Sequence, residues 1–123
     1  MQKRIVIIGS SGIISQNLQK KLKEKKLKFV TFGRKDINLK MNKSYEVLNK
    51  NIKDNDIVVF ISAEAPAKNM KMFFNNIKIC NNVCKALEGK KINKIIYISS
   101  DAVYSDTFKK IDEKSKTLPD SIH

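Results

Sequence analysis

Four short apolar runs punctuate the chain, and the segments between them carry hydrophobic residues at helical spacing. Residues 4–8 (RIVII) form a continuous, largely β-branched run closed by Gly9, the pattern of a parallel strand buried on both faces. From Gly12 to Lys26, Ile14, Leu18 and Leu22 recur every four residues, while Lys20, Lys21, Lys23, Lys25 and Lys26 supply a solvated face; this predicts an amphipathic helix. Residues 27–32 predict a second strand, ended by Gly33, and Tyr45, Leu48 and Ile52 mark a second helix. A third strand is predicted within 56–62 (DIVVFIS). A long helical pattern follows Pro66, runs to about Leu87 and is closed by Gly89. Residues 92–99 predict a fourth strand, and the remainder is polar and irregular.

Strands alternating with helices predict βαβ units, hence an α/β fold with a doubly wound parallel sheet, Rossmann-like. Right-handed crossovers then place helices on both faces of the sheet. At 123 residues the chain fits one domain, and a domain of this size hides about two-thirds of its unfolded surface. No apolar run approaches the roughly 20 residues that span a bilayer, so a cytoplasmic location and no membrane partner are expected.

The formal net charge of +13 raises nucleic acid as a partner. Of the 25 basic residues, however, only Arg4 and Arg34 are Arg, and the lysines are scattered over every segment. Nucleic-acid surfaces concentrate Arg, Lys and aromatics on one face, so no specific nucleic-acid partner is expected. A basic polyanion-binding protein remains the alternative that the charge supports. Cys80 and Cys84 lie one helical turn apart with no His or further Cys nearby. They read as small apolar helix residues, and no metal site is expected.

The chemistry concentrates at residues 9–15 (GSSGIIS), between the first strand and the first helix. Gly9 permits the tight turn, Gly12 lets backbone approach a pyrophosphate, and the helix amino terminus offers unpaired N–H groups to phosphates. In that context the turn points to a dinucleotide, NADP or NAD. Ser15 stands where a third glycine is usual, which predicts a helix displaced slightly outward. Where NAD sites often carry an acidic residue, this chain has Gly33 followed by Arg34 and Lys35. A guanidinium can pair with a 2′-phosphate, which favours NADP; Asp36, if it turns to the ribose, keeps NAD as the alternative.

Taken together, these segments resemble the extended short-chain dehydrogenase/reductase family of NAD(P)-dependent sugar-nucleotide epimerases, dehydratases and reductases. GSSGIIS resembles the family's GxxGxxG, and residues 56–63 (DIVVFISA) resemble its DxVxxxAA strand. Asn76 and Asn82 match the two asparagines of NVxGTxNV, with Ile79 and Cys80 replacing Gly-Thr. Residues 97–104 (YISSDAVY) resemble YxSSxxVY at the end of the strand beside the nicotinamide. The resemblance implies a cofactor site at Gly9, Ser11, Gly12, Ile13 and Ile14, Arg34, Asn38 and Leu39, Ser62 and Ala63, Asn82 and Ser99. It implies Ser100 as the catalytic hydroxyl that binds the substrate's reacting oxygen, with a sugar nucleotide as the small-molecule substrate.

The family's proton donor is a Tyr followed four residues later by Lys, and no YxxxK occurs in these 123 residues. Residues 119–123 (PDSIH) resemble the PxSxY lead-in to that site, with His123 at the Tyr position. Imidazole exchanges protons near neutral pH, so His123 is the second candidate catalytic residue. The expectation is a nucleotide-binding domain over 1–123, truncated before the substrate domain and inactive alone. A non-catalytic NAD(P)-binding or sensing module is the alternative. The last strand, without a neighbour beyond it, predicts a homo-oligomer formed by self-association through its apolar edge.

Overall fold

The computed structural model describes residues 3–120. Four strands and three helices alternate: β1 (Ile5–Ile8), α1 (Ile13–Glu24), β2 (Phe29–Phe32), α2 (Ser44–Asn51), β3 (Ile57–Phe60), α3 (Met70–Leu87) and β4 (Lys94–Tyr97). The strands form one parallel sheet in the order β2-β1-β3-β4. Ile5 stands opposite Phe29 on one side and Ile57 on the other, and Ile57 is opposite Lys94. The four apolar runs therefore became the four strands, and the fold is the Rossmann-like α/β sheet that the alternation predicts.

Period-two alternation along the strands divides the core between the two faces of the sheet. On one face Val6, Ile8, Val58 and Phe60 pack with Leu48 and Ile52 at α2 and with Ile79, Val83 and Ala86 of α3. On the other, Ile7 and Val59 meet Leu22, with Leu18 alongside, so α1 covers that side. Val6, Ile7 and Ile8 are wholly buried, as a central strand flanked by helices must be. At the amino-terminal end of the sheet, Arg4 reaches both carboxylate oxygens of Asp56 and ties the start of β1 to that of β3.

Four local features bear on these expectations. Ser15 is fully buried, and its hydroxyl accepts from Gln19 Nε2 at 3.1 Å, so α1 accommodates the side chain where a glycine was expected. The fourth strand is shorter than 92–99, and all four of its residues are exposed, none belonging to either helix-covered core cluster. Cys80 and Cys84 lie in α3 as helix residues, and both are exposed free thiols. The final segment, expected to be irregular, contains a 3-10 turn at Asp101–Val103 and an antiparallel bridge between Tyr104 and Thr117. Among the described residues no helix is long and apolar enough to cross a membrane.

Candidate functional site

From the carboxyl ends of the two central strands the chain runs in opposite directions, from β1 through α1 to β2 on one side and from β3 through α3 to β4 on the other. Where these paths diverge the sheet opens a crevice, the place at which parallel α/β sheets bind ligands. Its volume is about 200 Å³, and its walls are residues 9–12, Arg34, residues 37–40, residues 61–64 and Ile79.

Residues 9–12 cross the floor under tight constraint. Gly9 has φ +106°, a conformation that L side chains rarely adopt, and an added Cβ would stand 2.8 Å from Ser62 N. Its amide donates to Phe32 O at 2.8 Å, while Ser62 N donates to Ile8 O at 3.0 Å. The turn is thus pinned between β2 and β3. Gln19 secures it from behind, donating to Ser10 O at 3.0 Å. Gly12 differs: a Cβ there would meet nothing within 4 Å, because that side faces open space. No side chain caps α1, whose first backbone bond is Gln16 N to Gly12 O. The N–H groups of its first turn are therefore left for a partner outside the helix. Open space above Gly12 and unpaired helix-start donors fit a phosphate group.

Both walls are held by asparagines of α3. Asn82, buried, donates to Leu39 O at 2.8 Å and Met41 O at 3.1 Å, fixing the segment after β2. Asn76 brackets the backbone of Glu64, accepting from its N–H at 2.7 Å and donating to its C=O at 3.0 Å, which fixes the segment after β3. The Glu64 carboxylate takes Lys40 Nζ at 2.7 Å and Asn75 Nδ2 at 2.9 Å. Those two hydrogen bonds, Lys40's first, hold the carboxyl below its ordinary pKa.

Of the residues expected to hold a cofactor, Gly9, Ser11, Gly12, Arg34, Asn38, Leu39, Ser62 and Ala63 share this crevice. Ile13 and Ile14 sit at the start of α1 with their side chains exposed to solvent, outside the lining. Asn82 stands behind the wall rather than on it. Asp36, the alternative ribose ligand, spends a carboxylate oxygen on the Gly33 amide at 2.7 Å. Ser99 is exposed, and Ser100 Oγ accepts from Ala102 N at 3.1 Å, capping the 3-10 turn; neither belongs to the crevice lining. His123 lies outside the described residues.

Ser10, Ile37, Lys40, Ile61, Glu64 and Ile79 also line the crevice, although none was among the residues expected to hold the cofactor. Glu64 had a usable signal, since it directly follows the small residues Ser62 and Ala63. Lys40 had none, being one lysine among many. No group of three or more His, Cys, Asp or Glu side chains able to hold a metal occurs among the described residues.

Known structures share this architecture. A GDP-L-fucose synthetase from Naegleria fowleri bound to NADP superposes with a TM-score of 0.76 at 18% identity, covering 89% of this chain and 34% of that one. A dTDP-4-dehydrorhamnose reductase from Clostridium acetobutylicum gives 0.77 at 22% identity, over 97% of this chain and 44% of its own. The UDP-N-acetylglucosamine 4-epimerase of Bacillus cereus gives 0.77 at 22%, over 98% and 44%. The chain spans less than half the length of each of these structures. No curated protein matches the sequence. The family model for NAD-dependent epimerases and dehydratases matches residues 5–122. With that match over nearly its whole length, the chain belongs to the NAD-dependent epimerase/dehydratase family.

Proposed function

We propose that this chain is the NAD(P)-binding domain of an enzyme that epimerises, dehydrates or reduces a sugar nucleotide, with NADP preferred. One observation carries the reading: residues 9–12, which lead into the uncapped start of α1, and Arg34 line a single crevice. The turn and helix start would receive the pyrophosphate, and Arg34 the 2′-phosphate of NADP by paired, charge-assisted bonds. One oxygen of Asp36 is taken by the Gly33 amide, which supports Arg34 over Asp36 as the group that meets the adenosine ribose. When bound, the nicotinamide supplies hydride exchange with the substrate carbon. Ser100, just beyond β4, is the hydroxyl assigned to hold the reacting oxygen, and His123 falls at the sequence position of the family's proton donor. Without YxxxK the chain alone is expected not to turn over substrate. The substrate class is supported by the sugar-nucleotide names of the similar structures. Free, exposed Cys80 and Cys84 suit a reducing, cytoplasmic setting.

An amide-resolved NMR titration tests where the dinucleotide sits. NADP should shift the amides of Gly9, Gly12, Ile13, Arg34 and Ala63 and leave α2 unmoved. Shifts confined to the lysine-rich face of α1, and abolished by moderate salt, would instead indicate adsorption of a polyanion.

A further inference from the structure

The crevice carries an ion pair that none of the sequence motifs accounts for. Lys40 comes from the segment after β2 and Glu64 from the segment after β3, so their 2.7 Å contact joins the two walls. Both side chains are sheltered, 29% and 15% exposed. Glu64 is held at four points: one carboxylate oxygen by Lys40, the other by Asn75, and its backbone N–H and C=O by Asn76. Arg34 borders the same cavity, close enough for its charge to act on Glu64. A fixed carboxylate among cations, in a place suited to an anionic ligand, disfavours that ligand by repulsion and by occupying one of the two cations.

We propose that Glu64 is a specificity-determining residue: by occupying Lys40 it leaves Arg34 as the only unpaired cation lining the crevice among the described residues and so limits the preference for NADP over NAD. The proposal rests on the crevice being the NAD(P) site. A 2′-phosphate adds negative charge where NAD has a hydroxyl, so the charge of the lining acts on the ratio of the two affinities. A purely architectural role for the ion pair would act on both cofactors alike.

Calorimetric titration of the whole chain with NADP and with NAD, for wild type, Glu64→Gln and Lys40→Gln, separates these outcomes. Glu64→Gln keeps a side chain that can bond Asn75 but removes the charge and frees Lys40. It should raise the NADP-to-NAD affinity ratio about two- to fivefold and steepen the loss of NADP affinity with salt. Lys40→Gln leaves Glu64 unneutralised and should lower the ratio by a similar factor, which tests the idea even if one variant folds poorly. A ratio unchanged in both variants, with both cofactors weakened together, would overturn the proposal while leaving the NAD(P) reading intact. Failure of the wild type to bind either cofactor would overturn both.

Discussion

Gly9 lies so close to Ser62 that a Cβ on the glycine would stand 2.8 Å from the serine amide nitrogen and 2.9 Å from its hydroxyl. The glycine turn is therefore built against the end of β3 before any ligand is considered, and the two glycines of the turn have separable roles. Gly9→Ala combines positive-φ strain with a backbone clash and should destabilise the fold by about 2–4 kcal/mol. Gly12 has φ −76° and open space around its α-carbon, so Gly12→Ala should stay within about 1 kcal/mol of wild type. It should nonetheless weaken NADP about tenfold or more, because the methyl group fills the phosphate's place. Thermal unfolding alongside calorimetry distinguishes the two. A Gly12→Ala chain that binds as well as wild type would remove the turn from the site.

Acid should unfold the protein through the fork between Arg4 and Asp56. Burial alone would raise the Asp56 carboxyl, but the Arg4 hydrogen bond, the Lys53 amide and the nearby positive charges outweigh it and bring the pKa below its ordinary 3.8. A carboxyl depressed by folding contributes stability that is complete above 3.8 and is lost as pH falls through the lower folded value. Asp56→Asn should cost about 1.5–3 kcal/mol at neutral pH and flatten the acid limb of a stability–pH curve. An unchanged acid limb would assign acid unfolding to other carboxylates.

Asn82 offers a way to disturb the site without touching its lining. Asn82→Ala removes the side-chain donor to Leu39 O and one of the two donors to Met41 O, which keeps the Ser44 amide at 3.3 Å, and should destabilise by about 1–3 kcal/mol. By loosening the Leu39 wall it should weaken NADP and NAD by the same factor. A change in one cofactor only would mean that Asn82 meets the ligand directly, as the motif resemblance implied.

At the other edge of the sheet, β4 pairs with β3 alone, and Ile95, Ile96 and Tyr97 are 54%, 41% and 61% exposed. Such an edge templates strand pairing between chains. The net charge of +13 opposes association, and at physiological ionic strength it is screened within about 8 Å. Light scattering should therefore show association rising with salt and suppressed by Ile96→Lys. A chain that is monomeric at every salt concentration would show that the edge does not self-pair.

The fold was legible because its signals are local and redundant: β-branched runs for strands, four-residue spacing for α1, glycines at the ends. The boundaries of β4 were not, since its apolar residues imply burial that only neighbours can provide. At the site, Gly9 and Gly12 were readable because backbone geometry restricts those positions to few residue types. Arg34 was readable because it directly follows Gly33, which stands where an acid is common. Asn76 and Asn82 were visible as a motif, but their work as struts behind the two walls emerged only when the helix was packed. The Lys40–Glu64 pair was invisible because 24 residues separate its members and nothing in the spacing sets them apart from other charges.

Whether this crevice holds NADP by Arg34 is tested most directly by calorimetric titration of NADP and NAD against wild type and Arg34→Ala. Wild type should bind NADP more tightly than NAD, and the substitution should cost NADP about 1.5–3 kcal/mol while leaving NAD nearly unchanged. Equal affinities in the wild type, unmoved by Arg34→Ala, would contradict the account.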